Sequence, residues 1–208
     1  MTQPALYAQE VPLRAHRLIT RFWDDVTRED YGDFGGPLAT TFVLALAAPM
    51  INIPYERLYK VNPGKNERKL DEAFQERFRA GIATPRFSDA PFRKGEWRYH
   101  YVPGKEAVSV VDLPADVLRA LSADQAVEDA LNWCTKDWYE CMRNGLAHST
   151  VAYLDGSGAQ LARAPTEMMV FVTQHWDNHV LVGHHLVRIT RDDFRDFLDH
   201  WAVWLQIG

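Results

Sequence analysis

Three side chains near the middle of the second half of the chain have types that do chemistry together: Arg143, Asn144 and His148. A fixed cation, an amide and an imidazole in one short stretch can bind or process an anion. The imidazole is the group suited to moving a proton, because its charge changes near neutral pH. The three close what reads as the best helix of the sequence. Backwards from them, Val127, Leu131, Cys134, Trp138 and Cys141 recur at steps of four and three, the spacing of one apolar helix face. Glu128, Asp129, Lys136, Asp137 and Glu140 take the wet side. Ser122-Ala123-Asp124-Gln125 reads as a capping box that opens this helix. Gly145 sits inside its last turns, where glycine is a poor helix former. Helical geometry then sets a condition. Residues five apart point about 140° away from each other, so Asn144 and His148 share a side whereas Arg143 and His148 do not. Either the helix ends before His148, or a second copy of the chain brings its own Arg143 into the same cleft. A plain reading competes: Arg143 pairs with Glu140 three residues back, His148 caps the helix C-terminus, and Asn144 is an ordinary terminal residue.

The stretch Arg143-Asn144-Gly145-Leu146-Ala147-His148 resembles the signature of the HEPN superfamily, in which Arg, a polar residue, three variable residues and His close a long helix. The resemblance is sharpest over this helix and the strand-like segment after it, and looser over the N-terminal helices. It implies an all-helical core, frequent dimerisation across the motif helices, and often RNA cleavage without a metal. Many members serve as toxins or in defence against phage, and others have no demonstrated nuclease activity. On this pattern the catalytic residues are Arg143, Asn144 and His148, with no cofactor and no metal. The 2′-hydroxyl of RNA attacks the adjacent phosphate, giving a cyclic phosphate and a free 5′-hydroxyl. His148 moves the proton, Arg143 holds the phosphate by charge-assisted hydrogen bonds, and Asn144 orients the phosphate or His148. The expected partners are a second copy of the chain, RNA, and an antitoxin or other protein. The family's dimeric arrangement also answers the five-residue offset.

Other residues are weaker candidates. Glu140, Tyr153 and Asp155 flank the motif and are candidates to line its cleft, although a half-buried strand residue and a turn former describe the last two better. Arg93, Lys94, Trp97 and Arg98 mix cations with an aromatic ring, a surface that can hold phosphates and stack bases. A hairpin with one packed and one solvated face has the same composition. His175, His179 and His184, with Asp177, suggest a metal hydrolase. Against this, His184 and His185 are neighbours on a predicted strand and face opposite ways. The runner-up to a ribonuclease is a non-catalytic module that binds a nucleotide, RNA or protein partner in the same cleft.

The elements that must position these residues read as one mainly helical, HEPN-like domain over 1–208, with a β-hairpin inserted at 84–113 and a small C-terminal β element before a final helix. The chain has 208 residues, 47% of them apolar, enough for a sizeable core. A net charge of −5 gives no global attraction to nucleic acid, so RNA binding needs a local patch. Residues 1–10 read as a loose start. Ala15, Leu18, Ile19, Phe22, Trp23 and Val26 mark a first helix, and Tyr31 to Gly36 a turn. Pro37 suits the start of a second helix, Leu38 to Ala48, apolar on nearly all sides and interrupted by Pro49. Asn62-Pro63-Gly64-Lys65 is a turn cluster, and Leu70, Phe74, Arg77 and Phe78 suggest a third helix. Trp97 to Tyr101 alternates and Val108 to Val111 is β-prone, which together give the hairpin. Strands follow at Thr150 to Leu154, Met168 to Val172 and Val180 to Ile189. Thr190 with Asp193 opens the last helix, whose stripe is Phe194, Phe197, Leu198, Trp201, Trp204 and Leu205. The two cysteines, Cys134 and Cys141, are seven apart on one predicted helix face, roughly 10 Å between Cα atoms and too far for a disulfide. Reduced thiols, no signal peptide and no long uncharged apolar run point to a cytoplasmic protein without a membrane span.

Overall fold

Local pattern becomes core most directly in the last helix. All six residues of its predicted stripe are buried in α7, Arg191–Gln206. Its start is the expected reciprocal cap. The Thr190 hydroxyl donates to the Asp193 carboxylate at 3.0 Å, and the Asp193 N–H donates back to that hydroxyl at 3.1 Å. The computed structural model of the chain describes residues 6–60 and 72–206. The turn cluster expected at 62–65 and residues 1–5 lie outside them, and the rest of the loose start expected at 1–10 is helical from Tyr7 onward.

The described residues form seven α-helices and four strands. Helix α1, Tyr7–Arg28, buries Ala15, Ile19 and Trp23 and leaves Leu18 and Phe22 on the wet side. Helix α2 runs Ala39–Pro54, longer than the sequence pattern suggested. Pro49 stays inside it instead of ending it. The helix is the apolar centre of the bundle, with Ala39, Val43, Ala47, Met50 and Ile51 buried. Pro54 closes α2, and Tyr55–Tyr59 widens into a π-helical turn, where the Lys60 N–H reaches the Tyr55 carbonyl at 3.2 Å. Helix α3 spans Glu72–Ile82.

The expected hairpin at 84–113 does not form. Only Arg98–Pro103 is a strand, β1, and its partner is β4, Val180–Thr190, far along the chain. Val108 and Val110 lie outside any strand and pack on the sheet with a second small core of Leu113, Val117 and Leu121. Strands β2, Val151–Leu154, and β3, Met168–Asp177, complete an antiparallel sheet of order β1-β4-β3-β2. The β3–β4 turn uses Asn178 and His179, both at positive φ, the backbone of a tight hairpin turn. One face of the sheet, including Phe171, Val187 and Ile189, joins the large helical core. The other, including Val170, Val172 and Leu186, meets the small core under α4, Ala115–Ser122.

The long motif helix is two helices. Gln125–Asn132 is α5 and Thr135–His148 is α6. Trp133 takes an extended conformation between them, and the Phe87 N–H claims its carbonyl at 2.9 Å. Its ring stacks on Tyr99 with centroids 4.0 Å apart. The predicted capping box is absent. The Ser122 hydroxyl instead donates to the Leu118 carbonyl and accepts from Arg188. On α5 the buried residues are Ala126 and Ala130 rather than Val127 and Leu131.

Candidate functional site

The end of α6 is held against the sheet by Gly145. A Cβ there would stand 2.9 Å from Cδ1 and 3.0 Å from Cβ of Phe171 on β3, so the missing side chain lets helix and strand touch. The helix continues intact to His148, and Ser149 closes it in the left-handed conformation at φ 57°. The chain then turns at once into the sheet. Thr150 donates from its hydroxyl to the Val172 carbonyl at 2.7 Å and accepts from the Val172 N–H at 2.9 Å.

Arg143 leaves this helix toward the π-helical turn. Its guanidinium pairs with Glu56, donates to Asn144 Oδ1 at 2.6 Å, and lies 5.3 Å from the centroid of the Tyr55 ring. Its Nε is buried with no hydrogen-bond partner. The partner is therefore Glu56 and not Glu140. Glu140 instead accepts a hydrogen bond from the Tyr55 hydroxyl. Burial, and then that bond to Glu140, push the Tyr55 phenol well up, so it stays a donor. Tyr55 also stacks on Tyr139, at 5.3 Å between centroids.

Asn144 and His148 face elsewhere. They line a cleft of about 380 Å³ with Thr150 of the connecting turn, Gln174 and Trp176 of β3, His184 of β4 and the 107–110 segment. The cleft exists because β2 pairs with β3 only as far as Phe171, which leaves the outer half of β3 without a neighbouring strand on that edge. Its volume is within the range of small-ligand sites, roughly 300–1,000 Å³. Among the described residues its walls carry no Asp, Glu, Lys or Arg, and the two imidazoles are its ionisable groups. His148 is exposed at the mouth, while His184 is only 3% exposed. Burial lowers the His184 imidazole below its ordinary value. Trp176 stands on the rim, 55% exposed. Asn144 touches both surroundings, since it lines the cleft and accepts from Arg143.

No protein-family model, curated protein or solved structure significantly matches the chain.

The remaining candidates lie apart from this cleft. Tyr153 borders a separate pocket of about 210 Å³ with Phe34 and Thr40. Asp155 is a turn former whose Oδ1 accepts from the Ser157 hydroxyl at 2.7 Å and the Ala159 N–H at 3.0 Å, which holds its carboxyl below the usual range. Trp97 cannot stack on a base: it is 2% exposed, wedged edge-on against Trp138 and Phe197, and its Nε1 donates to the Lys94 carbonyl. Arg98 ties Glu96 to the carbonyls of Ser122 and Ala123. Arg93 and Lys94 are exposed. Among the described residues no three His, Cys, Asp or Glu side chains group to hold a metal. His175 and His185 are bonded to tyrosines, Tyr101 at 3.1 Å and Tyr99 at 2.9 Å.

Sequence reasoning missed Glu56, Tyr55 and the cleft position of His184. The first two come from a turn far along the chain and leave no local signal. His184 was readable in part, since strand alternation already put it on the opposite face from His185.

Proposed function

We propose that the cleft at the end of α6 cleaves RNA without a metal. His148 transfers a proton, Asn144 orients the phosphate, and Arg143 of a second copy holds it. The observation that carries this reading is His148 itself: an imidazole at a helix end, beside Asn144, open to a cleft that can take a nucleotide-sized group. The mainly helical fold, with α6 buried among α2, the aromatic core and the sheet, supports a HEPN-like bundle with an added sheet. On the resemblance, such a protein acts as a toxin or in phage defence and meets an inhibitory partner. One observation favours a second reading. Arg143 is already paired with Glu56, as befits a non-catalytic module that uses the cleft only for binding.

Incubating a mixed RNA pool in EDTA separates the two. Wild type is expected to cut. His148→Ala should lose about 10²–10⁴-fold in rate, the usual contribution of a proton-transfer group, while RNA binding largely survives. Arg143→Ala should weaken both, and Arg143→Lys should restore only part, because lysine lacks the planar fork. A binding module gives no cleavage even from wild type. Cleavage at the wild-type rate by a well-folded His148→Ala protein overturns the catalytic assignment.

A further inference from the structure

Four things set His184 apart. It is nearly sealed from solvent, yet it lines the cleft. Among the described residues its imidazole has no hydrogen-bond partner, unlike His175 and His185, which are each tied to a tyrosine. Its ring nitrogens are not among the sealed, unpartnered atoms of the described residues, so they are open to whatever occupies the cleft. Among the described residues the cleft offers no other ionisable side chain apart from His148. Finally, the two imidazoles arrive from different layers. His148 ends a helix of the main core, and His184 projects from the sheet face shared with Leu186 and the small core.

We propose that His184 is a second catalytic residue of this cleft, acting as the base that takes the 2′-hydroxyl proton of RNA while His148 protonates the leaving 5′-oxygen. This rests on the reading of the cleft as an RNA-cleaving site. In the step, the O2′–P bond forms and the P–O5′ bond breaks. The 2′-hydroxyl proton passes to His184, and a proton from His148 passes to the 5′-oxygen, leaving a 2′,3′-cyclic phosphate and a free 5′-hydroxyl. Exchange with water then returns His184 to its neutral form and His148 to its charged form. The division of roles follows from position. His184 is nearly sealed beneath the cleft, and that burial lowers its imidazole and favours its role as acceptor, while His148 is exposed and within reach of the leaving group. Around His184, β1 places Val102 and β3 places Gln174 in register, neither ionisable. The 107–110 segment contributes Ala107, Val108 and Val110 to the same cleft. The nearby titratable groups are His148 across the cleft and His185 on the reverse face of the strand. Trp176 at the rim offers a flat surface for a base.

The test compares wild type, His184→Gln and His148→Ala on an RNA pool across pH, with melting curves for each. Wild type should give a bell-shaped rate profile. His184→Gln should lose about 10²–10⁴-fold in rate and lose the acidic limb, which a merely structural role would not remove. His ring resonances of wild type titrated with 3′-uridine monophosphate supply a readout that needs no variant to fold. Both His148 and His184 signals should move. If wild type cuts and His184→Gln cuts equally with an unchanged pH profile, the second residue is wrong and the cleavage reading stands. Unmoved His184 signals at saturating nucleotide overturn it too. If wild type does not cut at any pH, both readings fall together.

Discussion

Arg143 and His148 lie five residues apart on one helix yet face different surroundings, and histidines show the same division again. His184 faces the cleft, whereas its neighbour His185 faces a cage of rings. Trp133, Tyr101 and His175 have centroids 5.0, 5.1 and 4.8 Å from that of His185. Burial first, then the nearby His175 and His184, lower the His185 imidazole to about 4 from an ordinary 6.5. The unfolded chain therefore binds a proton that the folded chain refuses between those values. Stability from this group is fully present above about 6.5 and is lost as pH falls toward about 4. His184 adds in the same direction. Melting temperature should fall across that window, and His185→Gln should flatten the decline while lowering stability at neutral pH. An equally steep decline in the variant would place the acid sensitivity elsewhere. Cys141 shows burial acting on another group. Its thiol is sealed in the core and pushed up, donating weakly to the Phe171 and His185 carbonyls, so it is a packing residue and not a nucleophile.

At the scale of elements, α6 is positioned by what Gly145 lacks. Gly145→Ala improves helix propensity by up to about 1 kcal/mol. It also drives a methyl group into Phe171, and overpacking of this kind costs about 1–3 kcal/mol. The backbone of β3 is part of the obstacle, with the Phe171 Cα at 3.4 Å, so relaxation must move helix against strand. The variant should melt several degrees lower and lose activity beyond its loss of stability, because the same shift displaces His148 from Thr150 and Gln174. A melting curve unchanged from wild type would show that the contact yields freely. Which elements were legible in the sequence follows from the range of their determinants. Helix α7 was readable because its stripe and its Thr190–Asp193 cap are local. Strand β1 was readable as a strand, but alternation cannot name a partner, and the partner is β4 rather than Val108 to Val111. The break between α5 and α6 leaves no local signal because the stacking of Trp133 on Tyr99 and the Phe87 bond are tertiary. For Trp97 the composition fits both a base-stacking surface and a packed face, because composition does not reveal which way an aromatic faces; the favoured packed face is the one observed, against Trp138 and Phe197. In the candidate site, the Arg143–His148 offset was legible as helical geometry, while the Glu56 pair was not.

For the whole molecule, that offset bears on how many chains a site needs. The sequence left two ways to reconcile Arg143 with His148, and the first, a helix ending before His148, is excluded because α6 runs through it. Within one chain Arg143 stays on the Glu56 side, and among the described residues the cleft contains no arginine. A phosphate in the cleft is then held either by a second copy's Arg143 or by the imidazoles alone. Mixing two inactive variants distinguishes these. In a two-fold dimer with shared sites, an Arg143→Ala chain paired with a His148→Ala chain has one site lacking both residues and one site with both. Random exchange makes about half of the dimers mixed, each with one intact site of two, so the mixture should recover about a quarter of wild-type cleavage. Light scattering on the same samples should show a mass twice that of the chain, falling on dilution if exchange is fast. If Arg143→Ala alone cuts as fast as wild type, the imidazoles hold the phosphate without it; if that variant is inactive and the mixture stays as inactive as its parts while wild type cuts, Arg143 does not act across an interface.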